Sequence, residues 1–538
     1  MVDAPMRWSK AILVAAAAIL FSVSYRDLNL YDEGIILAGS LRVMNGEVPY
    51  RDFWAMYPPG NFYINAWLFS VFGEQAYWNR LFDALTKLAI VLVAYAIIRT
   101  WLSRRRSLFF AAVVWSFLLV IGSPGFPVFQ ATLLALVMLL TLMRAAQVGP
   151  ARGAPRALFT LVFLAGALNG LMVWFRHDLA AYALLSVMIW FGYPLFRSTG
   201  HSGQVGCLVK EVGIFALGVA LTFLPLAVYL LVSAGYADLY FSLIESPATI
   251  YPDYRSLPFP GLSLSRLFAP SGESLVYFPF TILALSVIVF GVSVWRAGPR
   301  HAADGARDPD QHDARLGLLL FSLVALFSLK GFVRPSAVHF APAILFSLIL
   351  AAYLSRRLSW QRFAPLAVLL LVFFAPTALS AIKKSARNMP QFITACQHPA
   401  NPRLVCVSAD QDTLDAAGFI ATEFPAARKL FVGTGAHDRI HVGNVAAYFI
   451  VPKPPATKWH ESHPGIQTRA DIQREIIAEL RGSESLVVLV DRRWDNEREP
   501  NRSAESSGNT DLDRFLTDSF RLVKAFGPIA IYTRKQAE

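Results

Sequence analysis

The sequence predicts an α-helical polytopic membrane protein of about eleven transmembrane helices, followed by a soluble C-terminal α/β domain. Of its 538 residues, 55% are hydrophobic and 16% charged, against about 25% charged in soluble proteins. The mean hydropathy is +0.45. The charge is unevenly divided, because charged residues make up 12% of residues 1–382 and 26% of residues 383–538. A membrane part is therefore followed by a segment with the composition and size of one ordinary domain.

The apolar stretches of residues 1–382 set the number of spans. A helix needs roughly 20 apolar residues to cross the hydrocarbon core of a bilayer. The first stretch could instead be a cleaved signal peptide, but we favour a retained helix. The predicted spans are 9–25, 80–98, 107–122, 127–144, 157–174, 179–196, 211–233, 275–295, 315–330, 335–354 and 363–382.

Lys and Arg in the loops predict the orientation. Eighteen of them fall in six segments on one side of the predicted membrane part, and nine fall on the other. The basic side faces the cytoplasm, which places the N-terminus inside and the C-terminal domain outside, in the periplasm of a bacterial inner membrane. This pattern accounts for the net charge of +12 without a nucleic-acid partner. Acidic residues lie mostly on the outer side, so we expect the chemistry there.

The first loop (25–80) is outer in this topology, and it is too long and too aromatic for a simple connector. We expect an amphipathic interfacial helix from Glu33 to about Met44 and a second apolar helix from Phe62 to Phe72. Asp32 could cap the first helix or act as a general base at the mouth of the bundle.

Three motifs in the first loop carry a family resemblance. They are Asp32-Glu33-Gly34, the stretch from Gly46 to Tyr50, and Tyr57-Pro58-Pro59-Gly60. Together with the span layout and the outer C-terminal domain, they resemble GT-C-type glycosyltransferases. More narrowly, they resemble the bacterial protein mannosyltransferase group (glycosyltransferase family 39-like), which includes the lipid A aminoarabinose transferases.

The resemblance implies a membrane enzyme that takes a sugar from a polyprenyl-phosphate donor. Asp32 would be the catalytic base that removes a proton from the attacking acceptor, which could be a lipid, a glycan or a protein. Glu33, Asp52 and Tyr57 of the first loop are candidate substrate-binding residues. The departing lipid phosphate is an anion, so the site needs cations. No cofactor is predicted, and a divalent metal is possible but has no supporting residue spacing.

Charges near the outer ends of the spans are candidates for those cations, since ionisable groups at membrane depth usually serve a function. Arg80, Asp83 and Lys87 share one helix face, where they either contact substrate or form a network of ion pairs. Lys330 and Arg334 lie in a predicted outer turn, where they bind the lipid phosphate or act as snorkelling anchors.

The turn between the fifth and sixth predicted spans holds a cation, an imidazole and a carboxylate. Arg176, His177 and Asp178 could bind a phosphate or a sugar, or Asp178 could simply cap the next helix. We interpret His339, one turn beyond Arg334, as a packing residue.

The C-terminal domain alternates predicted strands with predicted helices, which is typical of a small α/β sandwich. The strands are 404–408, 429–432, 486–490 and 529–532, and the helices are 412–422, 468–481 and 511–520. We interpret His460, Glu461 and His463 as a surface loop, because their spacing matches no metal motif. Cys396 and Cys406 are predicted to form a disulfide in an oxidising compartment.

Two other functions fit a polytopic chain. A transporter or lipid flippase would show internal repeats around a midplane site, and we see no internal repeat. A non-catalytic assembly protein would tolerate loss of Asp32.

Overall fold

The computed structural model describes residues 27–535, except 122–124, 149–154, 198–201, 262, 264–271 and 298–308. The predicted first span lies outside the described residues. Each of the other ten predicted spans overlaps a helix. The helices of this bundle are α3 (Ala76–Arg99), α4 (Arg104–Val120), α5 (Val128–Val148), α6 (Pro155–Val173), α7 (His177–Arg197), α8 (Ser202–Ala234), α11 (Phe278–Ala297), α12 (Pro309–Leu329), α13 (Ala341–Leu354) and α14 (Trp360–Gln397).

Six helical segments of the described residues are long and apolar enough to cross a membrane. The others are shorter or more polar; α13, for example, has 14 residues, and all but its last are buried in the bundle. The count of eleven spans therefore stays a prediction. Between α8 and α11 lie a short helix α9 (Tyr236–Tyr240), a π-helical stretch (Phe241–Ile250), α10 (Tyr251–Arg255) and a 3₁₀ turn (Glu273–Tyr277).

The first loop folds into two helices, α1 (Asp32–Met44) and α2 (Gly60–Phe72). The prediction of an amphipathic surface helix at α1 is wrong, because residues 33–42 are all buried. The prediction of Asp32 as its N-cap is also wrong. Tyr31 is the N-cap residue, and the side-chain oxygen of Asn29 accepts hydrogen bonds from the backbone N–H groups of Tyr31 and Asp32 at 3.0 and 2.8 Å.

The C-terminal domain contains a four-stranded sheet in the order β1-β2-β4-β3. Strands β1 (Lys429–Thr434) and β2 (Leu486–Asp491) are parallel, and β4 (Ile529–Arg534) pairs antiparallel with β2 and with β3 (Phe520–Phe526). The remaining helices are α15 (Gln411–Glu423), α16 (Ala447–Ile450), α17 (Ala470–Arg481) and α18 (Asp511–Ser519).

One of the four strand predictions in this domain is wrong, and one strand is missed. The predicted strand at 404–408 is a 3₁₀ turn and a single bridge, and β3 was not predicted. Strand β3 escapes detection because five of its seven residues are exposed, so it lacks the apolar alternation that marks a half-buried strand. Cys396 and Cys406 are joined as a disulfide where α14 ends.

The first loop docks directly on the C-terminal domain. The N–H of Leu28 donates to the Ser408 carbonyl at 2.7 Å, and the N–H of Ala446 donates to the Leu30 carbonyl at 2.9 Å. A Cβ at Gly34 would lie 2.4 Å from the Ala446 nitrogen, so a glycine is needed for this approach. The two parts of the chain therefore share a core.

Candidate active site

A cavity of about 300 Å³ lies where the first loop, the helical bundle and the C-terminal domain meet. All three regions contribute side chains to it. Its walls hold carboxylates, arginines and aromatic rings together, a composition suited to a polar ligand with an apolar face. Its lining includes Tyr31, Asp32, Tyr57, Phe126, Tyr251, Arg255, Arg334, His339, Glu461 and His463.

Asp32 stands at the first turn of α1 with its carboxylate toward this cavity. The Asn29 side-chain amide donates to its Oδ2 at 3.4 Å. Burial raises the pKa of the Asp32 carboxyl above its usual range, while the positive charges of Arg255 and Arg334 oppose that rise. A carboxylate with a raised pKa is a better proton acceptor than an exposed one, provided it stays ionised at neutral pH.

Two arginines that line the cavity, Arg255 and Arg334, contact one carboxylate of the C-terminal domain, Glu499. Arg334 donates two hydrogen bonds to Glu499, at 2.8 and 2.5 Å, and a third to the Arg255 carbonyl at 3.1 Å. Arg255 itself lies 3.9 Å from Glu499. This group carries one net positive charge, and its arginines are held in place by backbone contacts. Such fixed cations can stabilise a developing anion.

Glu461 and His463 of the C-terminal domain also line the cavity. The prediction that they lie in a surface loop is wrong, since the two side chains are 1% and 2% exposed. Burial, followed by the negative charge of Asp32, raises the pKa of Glu461 well above its usual range. Burial lowers the pKa of His463 to about 3, so this imidazole is neutral at physiological pH.

A second cavity of about 200 Å³ adjoins the first, and Tyr57, Phe126 and His339 line both. Arg176, His177, Asp178 and Lys330 line the second cavity. Arg176 binds Asp178 through two hydrogen bonds, at 2.9 and 2.5 Å. Arg176 and Asp178 neutralise each other, and an anionic group bound in this cavity would favour the protonated form of Lys330.

Tyr50, Tyr57 and Gly60 of the loop motifs fix the position of the first loop beside the two cavities. Tyr50 has a positive φ of 72°, and its hydroxyl donates to the Tyr57 carbonyl at 2.9 Å. The N–H of Gly60 donates to the Trp174 carbonyl at 2.8 Å, and a Cβ there would lie 2.6 Å from that oxygen. The Tyr57–Gly60 motif is thus packed against the turn that carries Arg176.

The structure places four predicted site residues outside both cavities. Glu33 forms two hydrogen bonds with Arg80 at 2.9 Å, and Lys87 pairs with Asp83 at 2.7 Å. The side chains of these two pairs, Glu33 with Arg80 and Asp83 with Lys87, are each at most 3% exposed. Asp52 accepts a hydrogen bond from the Val48 N–H at 2.7 Å, and so closes a turn of the first loop.

The described residues contain no group of His, Cys, Asp and Glu side chains that could hold a metal ion.

Comparison with solved structures assigns the architecture. ArnT from Cupriavidus metallidurans, solved bound to undecaprenyl phosphate, matches with a TM-score of 0.56 and 13% identity over 99% of both chains. Its apo form gives the same TM-score and identity over 98% of both chains. The apo oligosaccharyltransferase of Archaeoglobus fulgidus matches with a TM-score of 0.56 and 11% identity, over 99% of this chain and 75% of that one.

The chain has the GT-C fold. The match to GT-C structures extends from the helical bundle through the C-terminal domain, so the cavity between them lies inside the matched fold. No family model and no curated protein matches the chain.

Proposed function

We propose that this protein is a glycosyltransferase that moves a sugar from a polyprenyl-phosphate donor to an acceptor at the outer face of a bacterial inner membrane. The observation that carries the proposal is the cavity of the GT-C fold, in which the Asp32 carboxylate faces Arg255 and Arg334. The similar ArnT structure was solved with undecaprenyl phosphate bound, which supports the same class of lipid carrier.

In the proposed reaction, a hydroxyl or amine of the acceptor attacks the anomeric carbon of the donor sugar. Asp32 takes the acceptor's proton as the new bond forms. The bond between the anomeric carbon and the phosphate oxygen breaks, and its electron pair leaves with the polyprenyl phosphate. Arg255 and Arg334, with the cations of the second cavity, stabilise this anion.

The orientation follows from the basic loops, with the N-terminus in the cytoplasm and the C-terminal domain in the periplasm. The acceptor is a lipid, a glycan or a protein exposed on that side. A transporter or flippase has no comparable support, because the charged groups of the cavity converge at the junction with the C-terminal domain.

The direct test is transfer of labelled sugar by the purified protein. Undecaprenyl-phosphate-linked hexoses and pentoses serve as donors, and bacterial envelope lipids and glycans serve as acceptors. We expect transfer by the wild type and a loss of about 10²–10⁴-fold in kcat for Asp32→Asn, which is typical of removing a general base. Transfer should also fall on acidification, as protons titrate the Asp32 carboxylate.

Asp27→Asn is the matched control, since Asp27 is an exposed carboxylate of the same loop whose contact with the Ser408 hydroxyl an amide can keep. Absence of transfer from every donor would overturn the proposed function. Full activity of Asp32→Asn would overturn the role of the base while leaving the reaction class standing.

A further inference from the structure

Glu461 is a buried carboxyl that the proposed chemistry does not use. Its side chain lines the Asp32 cavity and is 1% exposed. No described residue forms a hydrogen bond with its Oε1. A buried polar atom without a partner costs about 1–3 kcal/mol, so its persistence in a functional cavity calls for a ligand.

The position of Glu461 is fixed by contacts with the first loop. The Arg42 guanidinium donates to the Thr457 carbonyl at 2.9 Å, and the N–H of Trp54 donates to the Lys458 carbonyl at 3.0 Å. The rings of Trp54 and Trp459 stack with centroids 6.2 Å apart. The segment just before Glu461 is therefore clamped, and the carboxyl is presented to the cavity by a rigid support.

The segment that follows Glu461 in sequence is constrained as well. Gly465 has a φ of +78°, and a Cβ there would lie 2.5 Å from the Tyr254 ring. The side-chain oxygen of Gln467 accepts a hydrogen bond from the His463 N–H at 2.6 Å. Glu461 is thus anchored on both sides in sequence, which a ligand-binding group needs and a surface loop does not.

The surroundings of Glu461 select among ligand groups. The natural partners of a phosphate in this cavity are Arg255 and Arg334, which lie on another part of the wall. The rings of Tyr251 and His463, with centroids 6.1 Å apart, give the same cavity an apolar surface. A sugar offers both complements, since its ring has an apolar face and its hydroxyls can donate to Oε1 and accept from a protonated carboxyl.

We propose that Glu461 binds hydroxyl groups of the transferred sugar and so helps to set which sugar is accepted. The inference rests on the proposed function, and it assigns a part of donor recognition to the C-terminal domain. Asp32 keeps the chemical step, while Glu461 positions the sugar for it.

The experiment compares Glu461→Gln and Glu461→Ala with the wild type, using the undecaprenyl-phosphoryl sugar that the wild type transfers and its monodeoxy forms. We expect Glu461→Ala to raise the donor KM about tenfold, the size of one hydrogen bond, with little change in kcat. We expect one monodeoxy donor to have a higher KM than its parent sugar with the wild type. With Glu461→Ala, the same monodeoxy donor and its parent should have equal KM values. The donor KM of Glu461→Gln, which keeps one acceptor oxygen, should fall between those of the wild type and Glu461→Ala.

Glu475→Gln, an exposed carboxylate of the same domain, is the control and should leave KM unchanged. If the wild type transfers no sugar, the proposed function fails. If the wild type is active and Glu461→Ala shows the same KM and the same response to every deoxy donor, this inference alone is overturned. Glu461→Leu adds a stability measurement. We expect this variant to have a higher melting temperature than the wild type together with a raised KM. If Glu461 served only the structure, the melting temperature of Glu461→Leu would be lower than that of the wild type.

Discussion

Two neighbouring carboxylates, Asp32 and Glu33, lie in regions that differ in how their charged groups are paired. Asp32 lines a cavity and has an amide at 3.4 Å as its hydrogen-bonding side-chain partner. Glu33 turns into the bundle and is satisfied by two hydrogen bonds from Arg80. Beside that pair lies a second one, Asp83 with Lys87. Glu33, Arg80, Asp83 and Lys87 form what we call the paired layer, which lies directly behind the charged residues of the cavity.

The difference shows what pairing does to a buried charge. A buried ion pair with good geometry has little left to offer a substrate, and breaking it leaves an uncompensated charge. Asp32 and Glu461 of the cavity have fewer internal partners, so a ligand can complete them. The comparison predicts that changes in the paired layer alter stability and that changes in the cavity alter activity.

The largest stability effect should come from Arg80→Met. This change leaves Glu33 buried without its cation, which costs about 3–5 kcal/mol of folding free energy. Thermal unfolding in detergent measures the loss. The double variant Glu33→Gln with Arg80→Met should recover much of it. The comparison breaks if Arg80→Met unfolds like the wild type but transfers no sugar, since Arg80 would then serve the substrate.

A smaller effect is expected at Glu499, which joins the C-terminal domain to Arg334. Burial opposes ionisation, but the bonds from Arg334 and Asn501 prevail and lower the pKa of Glu499 to about 2. The pair therefore stabilises the fold above the carboxyl's ordinary pKa, and this stability is lost as the pH falls toward 2. Glu499→Gln should lose up to about 3 kcal/mol at neutral pH, since one pKa unit is about 1.4 kcal/mol.

The pH dependence of unfolding separates this effect from general weakening. Between pH 4.5 and 2 the wild type should lose more stability than Glu499→Gln. Glu505→Gln, in the same segment but exposed, should follow the wild type throughout. Equal acid sensitivity of wild type and Glu499→Gln would show that the pair contributes nothing to docking.

The smallest effect is expected from Gly34→Ala. The added methyl group would meet the Ala446 nitrogen at 2.4 Å, and overpacking of this kind costs about 1–3 kcal/mol. Because Gly34 follows Asp32 by two residues, activity should fall as well. Gly418→Ala, where a Cβ meets nothing within 4 Å, should match or exceed wild-type stability. A fully active and stable Gly34→Ala would mean that the first loop docks more loosely than the structure shows.

Local signals in the sequence predicted part of this site. Asp32 and Tyr57 stand in motifs, and Arg176, Lys330 and Arg334 follow apolar stretches, so their place at one end of the bundle could be predicted. Helical spacing puts Arg80 and Lys87 on one face, but spacing does not say what that face meets. The Lys87–Asp83 pair is local to α3 and agrees with the ion-pair alternative, whereas the Arg80–Glu33 pair depends on how α1 packs against α3, which local spacing does not specify.

Glu461 could not be found in this way. Its neighbours in sequence are polar, and its spacing from His460 and His463 fits no motif, so a surface loop was the natural interpretation. It is buried because Trp54 and Arg42, more than 400 positions away, cover the segment that carries it. Arg255 was missed for a similar reason, since its role comes from Glu499 of the C-terminal domain.

The contact of Gly34 with Ala446 limits how this chain can be recombined. Exchanging the C-terminal domain between relatives at residue 383, the boundary predicted from sequence, would bring a new partner against α1 and a new group in place of Glu461. A chimera that keeps its catalytic cavity must therefore carry residues 27–60 and 444–467 from the same parent. The same holds for Arg255 and Arg334 of the bundle and their partner Glu499, and a library of crossovers scored for transfer would reveal which segments must come from one parent.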